Sequence, residues 1–227
     1  KELGVQHDPR ADSVVCYGSP NWGRSTLNSR CGLSKVERMC LMERAGVPVI
    51  PWFPKTLVKR GGVLQDANTV YAVKYPLLAR RANGYGGTDI VPVFQEEELK
   101  WRAAAGWDWF SQYIPVSVEY RVWLFRDKCL DTYQKVMRRP QDYKFIGRNF
   151  RNGFEFELIE VPSIDVINVA RNALIAVGFD FAAIDVLIGK DNNIYVLELN
   201  TAAGVIRSKA HGTLHKLAEH IADWAEE

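Results

Sequence analysis

Two carboxylates and an amide near the end of the chain have the residue types and spacing for chemistry. Asp185 and Glu198 are each the single charged residue of an apolar run that is typical of a buried strand. If the two runs form a hairpin that turns about residues 191–192, Asp185 lies directly opposite Glu198, and Asn200 follows on the same face. Two ionised carboxylates in apolar surroundings need a counter-charge.

A divalent cation is one source of that counter-charge. Magnesium suits two carboxylates and one amide better than zinc does, because all of these ligands are oxygen atoms. When few carboxylates hold it, magnesium takes its remaining ligands from water and nucleotide phosphates. The alternative is that nearby arginines form salt bridges with both acids and the hairpin is structural. Residue types and spacing leave both interpretations open.

A glycine-rich segment, 82–89, lies between predicted strands at 75–81 and 90–94. Gly84, Gly86 and Gly87 surround Tyr85 within four positions. Glycine backbone can lay N–H groups over a phosphate chain, because no side chain blocks the approach. The alternative is a plain hairpin turn in which glycines supply positive φ angles. The segment lacks the lysine and hydroxyl residue that end a Walker motif.

The remaining elements form an ordered series. Ser34 and Glu37 have the spacing of a capping box and predict a helix from Ser34 to about Ala45. Apolar alternation in 118–125 places Glu119 and Arg121 on one strand face. Other predicted helices span 96–105, 163–176 and 211–224, and other predicted strands span 109–114 and 128–138.

Composition excludes several classes of protein. The chain has 227 residues, 47% hydrophobic and 25% charged, which is ordinary for a soluble globular protein. The net charge of +2 is too small for a dedicated nucleic-acid binder. The sequence has no run of eighteen apolar residues, so we expect no membrane-spanning helix. The four cysteines lack metal-binding spacing, so we expect free thiols and a cytoplasmic location.

The order of these parts resembles the ATP-grasp superfamily, and most closely its carboxylate–amine ligases, such as glutamate ligases and D-alanine–D-alanine ligases. The resemblance runs from about residue 34 to residue 204, and Glu198-Leu-Asn-Thr-Ala-Ala-Gly204 is similar to the Glu-x-Asn-Thr-x-x-Gly motif that closes those ligases. It implies an α+β fold in which two α+β subdomains, residues 65–115 and 116–227, grip ATP. A truncated N-terminal lobe, residues 1–64, precedes them.

The resemblance also assigns residues. Asp185, Glu198 and Asn200 would bind one or two magnesium ions. The catalytic candidates are Arg121, Arg138, Arg148 and Asn149. The ATP-binding candidates are Arg80, Gly84, Tyr85, Gly86, Gly87, Gln112, Tyr113, Ile114 and Glu119. Two features depart from the family pattern: Arg80-Arg81 replaces a common Lys-Pro pair, and the N-terminal lobe is short.

The implied activity is an ATP- and magnesium-dependent ligase that forms a carbon–nitrogen bond through an acyl phosphate. Its substrates would be a small-molecule or peptide carboxylate and an amine, with no nucleic-acid or membrane partner, and a homodimer is compatible with the sequence. The alternatives are an ATP-grasp phosphotransferase, a nucleotide-binding module without catalysis, and a nucleic-acid-binding protein that uses the basic stretch 138–151.

Overall fold

Helices packed on antiparallel sheets make up the protein, as a computed structural model shows. The structure describes residues 15–16, 27–58, 64–66, 69–71, 73–82, 89–140, 148, 150–203 and 211–226. The helices are α1 (Lys35–Arg44), α2 (Glu96–Ala104), α3 (Ile164–Val177) and α4 (His211–Glu226). None of these described helices is both long and apolar enough to span a membrane.

The described strands form three sheets. They are β1 (Trp52–Pro54), β2 (Leu64–Asp66), β3 (Thr69–Tyr71), β4 (Leu77–Arg80), β5 (Ile90–Val93), β6 (Trp109–Gln112), β7 (Val116–Phe125), β8 (Lys128–Met137), β9 (Phe154–Leu158), β10 (Phe181–Gly189) and β11 (Ile194–Asn200). The five-stranded sheet has the order β11-β10-β7-β8-β9 and the four-stranded sheet the order β1-β6-β4-β5. β2 and β3 pair with each other. The predicted α+β class is therefore confirmed.

The five-stranded sheet has two different faces. On one face, Val122, Ile184 and Val196 pack with α1 and α3 in the largest core cluster. On the other face, Trp123 and Phe181 form a second cluster that Leu217 of α4 joins. Alternation along the strands brings the polar side chains of β7, β8 and β10 to this second face, beyond the part that packs with α4.

The four-stranded sheet carries its own core, which includes Phe53, Leu77 and Phe110. β1 contains Pro54 and lies at the sheet edge, where the missing N–H of proline costs no ladder hydrogen bond. Residue 64 is the predicted end of the N-terminal lobe. Because β1 pairs with β6, this sheet contains strands from before and after that residue.

Helix α1 begins as the sequence predicts. The Ser34 hydroxyl accepts a hydrogen bond from the Glu37 N–H, and the Glu37 carboxylate accepts one from the Ser34 N–H. The chain that follows α1 runs beside β11, where the Val196 N–H donates to the Pro48 carbonyl at 2.8 Å. The sequence did not predict β2, β3 or β9, although the alternating Phe-Glu-Phe-Glu-Leu of β9 is a strand pattern.

The hairpin of β10 and β11 brings Asp185 opposite Glu198, as predicted. The register assumed next to the turn was wrong by one residue, because the turn is centred on residue 191, with Gly189 paired with Asn193 and Ile188 with Ile194. A β-bulge between Asp185 and Val186 then shifts the register by one residue. The two deviations cancel, so the predicted pair meets next to a bulge, a device that often re-aims side chains at functional sites.

Candidate functional site

Asp185 is the centre of a charged cluster on the polar face of the five-stranded sheet. Its two carboxylate oxygens accept hydrogen bonds from Arg121 Nε at 2.7 Å and Arg121 Nη2 at 2.9 Å. Lys135 Nζ of β8 lies 3.2 Å from the same carboxylate. The side chains of Asp185, Arg121 and Lys135 are only 7%, 15% and 9% exposed, so these charges interact with little screening by water.

The pKa of Asp185 shows which effect dominates. Burial alone would raise the pKa of this carboxyl, but the charges of Arg121 and Lys135 outweigh that effect and hold the pKa well below its ordinary value. Burial would lower the pKa of the Lys135 ammonium, yet Asp185 and Glu119 raise it. All three side chains are therefore charged at neutral pH, and each depends on the others.

Glu119 joins the same cluster through two cations. One carboxylate oxygen contacts Lys135 Nζ, and the other lies 3.2 Å from Arg148 Nε. The Arg148 guanidinium also lies over the Phe154 ring, 4.5 Å from its centroid. Arg148 is one of the predicted catalytic candidates, and its side chain, only 23% exposed, contacts the cluster through Glu119.

The metal-ligand candidates fit an oxygen-liganded divalent cation in type and position. Asp185 and Glu198 face each other across the ladder, and Asn200 pairs with Ala183 two residues along. Each acid already has a cation from the protein: Arg121 and Lys135 on Asp185, and Lys35 Nζ at 2.9 Å from Glu198 Oε1. Both acids therefore form the salt bridges of the alternative interpretation, and the metal role of Asp185, Glu198 and Asn200 stays a prediction.

The described residues contain no cluster of three or more His, Cys, Asp and Glu side chains that could hold a metal ion by themselves. Two acids and one amide, each giving one ligand, would leave about half of the octahedral coordination sphere of magnesium to other oxygen atoms. Water and nucleotide phosphates are the usual source of those oxygens.

Arg80 of β4 lies in the four-stranded sheet and is held by two neighbours. Its Nε donates to the Ser111 hydroxyl at 3.0 Å, and its guanidinium lies 5.0 Å from the centroid of the Trp109 ring. Burial lowers its pKa to about 10, against the opposing charges of Glu198 and Glu119. Within the described part of the chain no carboxylate forms an ion pair with Arg80, so its remaining donors are available for an anion.

The segment 112–114 connects the two sheets. The N–H groups of Gln112 and Tyr113 donate to the carbonyls of Pro51 and Pro76, at 2.8 and 3.1 Å. Ile114 is buried in the largest core cluster. Of these three ATP-binding candidates, Ile114 alone has a backbone N–H without a hydrogen-bond partner among the described residues.

Other predicted site residues lie apart from this cluster or outside the described residues. Arg138 follows β8, is half exposed and pairs with Glu157, so the structure does not bring it to Asp185. Gly84, Tyr85, Gly86, Gly87 and Asn149 lie outside the described residues, and their roles stay predictions.

Lys135 and Lys35 are the site residues that sequence reasoning missed. Lys135 lies on the polar side of β8, one residue beyond the paired Tyr120 and Gln134, and so beside Glu119. The available signal was its place in the predicted strand 128–138, the partner of the strand that carries Glu119 and Arg121. Lys35 gave no signal, because a lysine in the first turn of a helix is ordinary.

The charges of this region favour an anionic ligand. Three carboxylates, Glu119, Asp185 and Glu198, are near five cations: Lys35, Arg80, Arg121, Lys135 and Arg148. Positive charge is therefore in excess among these described residues. Fixed cations of this kind attract and orient polyanions such as phosphates.

Comparison with known proteins identifies distant relatives by sequence, although no family model matches the chain. The chain is 27% identical to biotin carboxylase 2 of Bacillus subtilis over 184 residues, covering 74% of this chain and 40% of that protein. It is 22% identical to the D-alanine–D-alanine ligase of Enterococcus hirae over 222 residues, covering 88% of this chain and 61% of the ligase. The chain therefore spans less than two thirds of either relative.

Solved structures share the fold. The ATP-grasp ligase PsnB, in complex with a precursor peptide and AMPPNP, matches 90% of this chain and 64% of its own with a TM-score of 0.62 at 18% identity. The D-alanine–D-alanine ligase of Bacillus anthracis, complexed with ATP, matches 87% of this chain and 63% of its own with a TM-score of 0.57 at 19% identity. These matches confirm the ATP-grasp fold and the resemblance to ATP-grasp ligases.

Proposed function

Because the chain has the ATP-grasp fold, we propose that it is an ATP- and magnesium-dependent ligase that joins a carboxylate to an amine. The observation that carries the proposal is the cluster around Asp185, where buried carboxylates and an excess of cations lie on one sheet face. Such a face can bind both parts of a metal–nucleotide complex: carboxylates face the metal and cations face the phosphates.

The residues divide by chemistry. Glu119 would accept hydrogen bonds from the ribose hydroxyls, and the Ile114 N–H would donate to adenine. Asp185, Glu198 and Asn200 would hold magnesium, which neutralises phosphate charge when bound. The predicted glycine-rich segment would cover the phosphates. We assign Arg80 to the phosphates in place of the usual lysine, because arginine keeps the charge and can bind two oxygens at once.

The reaction would proceed in two steps. A substrate carboxylate oxygen attacks the γ-phosphorus of ATP, and the bond to the β-phosphate oxygen breaks to release ADP. The amine then attacks the carbonyl carbon of the acyl phosphate, inorganic phosphate leaves with the C–O bonding electrons, and the nitrogen loses a proton. Arg121, Lys135 and Arg148 would stabilise the developing negative charge, exchanging contacts with carboxylates for contacts with phosphate.

The substrates are proposed by class. PsnB has been solved with a precursor peptide, and two other matched structures are named as a D-alanine–D-alanine ligase and an L-amino acid ligase. A free amino acid or a peptide therefore fits this chain as donor or acceptor. The subdomain boundaries at residues 64–65 and 115–116, the cytoplasmic location and a homodimer remain parts of the proposal.

A turnover assay tests the function. ADP release would be measured with a panel of amino acids and peptides, with and without magnesium, for the wild type, Glu198→Gln and the exposed control Glu43→Gln. We expect substrate-dependent release that needs magnesium, falls at least tenfold in Glu198→Gln and is unchanged in the control. Mass spectrometry should find an amide, whereas a stable phosphorylated product would favour a phosphotransferase. Undiminished turnover by Glu198→Gln without magnesium would refute the metal assignment.

A further inference from the structure

Helix α1 contributes a cation to the strand that carries the metal-ligand candidates. Lys35 Nζ lies 2.9 Å from Glu198 Oε1, and the two side chains are 30% and 33% exposed. Within the described part of the chain, Lys35 is the only residue that forms an ion pair with Glu198. Asp185, directly opposite, has Arg121 and Lys135 instead.

Arg38 fixes α1 next to Glu198. It lies three residues after Lys35 and therefore on the same side of the helix. Arg38 Nη1 donates to the carbonyl of Leu199 at 2.8 Å, and Nη2 donates to the carbonyl of Cys31 at 3.0 Å. Its guanidinium also lies 5.1 Å from the centroid of the Phe179 ring. The helix is thus bonded to the residue that directly follows Glu198.

The chain after α1 provides a second attachment on the other side of Glu198. The Val196 N–H donates to the Pro48 carbonyl, and Val49 and Val196 form a parallel bridge. Met39 and Met42 of α1 are buried in the core below. Because α1 is held at residues 196 and 199, Lys35 starts from a fixed backbone, which lowers the entropy cost of keeping its ammonium at the carboxylate.

We propose that Lys35 is a positioning residue that serves as a built-in counter-ion for Glu198 and competes with the divalent cation for that carboxylate. This inference rests on the metal assignment of the proposed function. In the metal-free protein the ammonium neutralises Glu198 and holds its side chain near Asp185 across the ladder. Metal binding at Glu198 displaces Lys35, so the protein exchanges one cation for another and the metal site avoids uncompensated charge.

The proposal predicts the direction in which the affinity for a divalent cation changes. A neutral side chain of similar length at position 35 removes the competitor, so the affinity for a divalent cation rises. Partly exposed ion pairs contribute little, which sets the expected increase at about two- to fivefold. A residue that merely stabilised α1 would have the opposite or no effect, since its loss would loosen the strand that presents Glu198.

The experiment is a titration of the nucleotide-free protein with Mn²⁺ alone, in which electron paramagnetic resonance measures free Mn²⁺. The variants are Lys35→Met, Lys35→Arg, Glu198→Gln and the double variant of Lys35→Met with Glu198→Gln. Lys55→Met is the matched control. Lys55 Nζ lies 3.4 Å from Asp108 Oδ1 in a similarly exposed ion pair, and this pair lies away from the cluster. Thermal unfolding of each variant establishes that it is folded.

We expect Lys35→Met to bind Mn²⁺ about two- to fivefold more tightly than the wild type. Lys35→Arg and Lys55→Met should match the wild type, and the gain should vanish when Glu198→Gln is also present. Unchanged or weaker binding by Lys35→Met would overturn the inference, as would an equal gain in Lys55→Met or a gain that persists with Glu198→Gln. If Glu198→Gln alone loses binding while Lys35→Met changes nothing, the inference fails and the metal site stands.

Discussion

Replacing Asp185 by asparagine tests whether the buried charges of the cluster depend on one another. The substitution keeps the shape of the side chain and removes its charge. Arg121 would lose the carboxylate that accepts its two hydrogen bonds, and Lys135 would keep Glu119 alone. Both cations are too deeply buried to regain full hydration.

The expected cost follows from this arrangement. Breaking a buried ion pair by removing one partner costs about 3–5 kcal/mol, because it leaves a buried charge without compensation. The cation–π contact of Arg121 with Phe156, at 4.6 Å, remains and keeps the cost within that range. For a chain of this size the melting temperature should fall by roughly 6–20 °C.

The stability that Asp185 contributes should depend on pH in a definite direction. The pKa of Asp185 is depressed in the folded protein, so its stabilising contribution is fully present above the ordinary value of 3.8 and is lost as the pH falls through the folded value. The difference in unfolding free energy between wild type and Asp185→Asn should therefore be constant from about pH 7 to pH 5 and shrink below about pH 4.

Urea unfolding across this pH range provides the measurement. Asp191→Asn is the control, because hydrogen bonds from Asn193 and Tyr195 lower the pKa of Asp191 at a fully exposed position. Its loss of stability should be much smaller. A difference below about 1 kcal/mol for Asp185→Asn, or one that persists undiminished at pH 3, would refute the idea that Asp185 compensates buried charge.

Three further predictions concern single positions. Asn28→Ala should lower the free energy of unfolding by about 2–4 kcal/mol in urea, because its buried side chain makes three hydrogen bonds with the backbone of residues 180–181. Gly153→Ala should cost about 1–3 kcal/mol, since its φ is +84° and a Cβ would overlap a backbone carbonyl. Ser111→Ala should weaken binding of a non-hydrolysable ATP analogue about fivefold by calorimetry, because it releases the Arg80 guanidinium.

Matched substitutions give these predictions their controls. Gly46→Ala shares the positive φ of Gly153 but would meet no atom, so a cost equal to that of Gly153→Ala would contradict the steric argument. Asn28→Asp keeps the acceptor and loses the donor to the Phe181 carbonyl, so it should fall between alanine and wild type. Unchanged nucleotide affinity in Ser111→Ala would show that the hydroxyl does not position Arg80.

Local signals in the sequence predicted much of the fold. The capping box of Ser34 and Glu37 fixed the start of α1, apolar alternation located β7, and two continuous apolar runs located both strands of the hairpin. These elements depend on hydrogen bonds and periodicity within a few residues, which a sequence displays directly. The short strands β2 and β3 were missed because three residues carry too little periodicity to be recognised.

The pairing of Asp185 with Glu198 was predicted from the hairpin, but the agreement depended on two compensating deviations. The pairing next to the turn is one residue out of the register assumed, and the bulge after Asp185 restores that register. Without that bulge a one-residue slip would have turned Glu198 to the opposite face. A bulge is decided by the packing of both strands within the sheet, and no local motif announced it.

The sequence by itself determined the residue types of the site: acids and an amide on adjacent apolar strands, a glycine-rich segment and the alternation that puts Glu119 with Arg121. The tertiary structure decided which charges meet. Lys35, Lys135 and Arg148 come from separate parts of the chain. Each contacts an acid that is distant in the sequence, because the fold brings the two elements together. Long-range ion pairs of buried groups depend on the relative positions of whole elements, which periodicity along the chain does not encode.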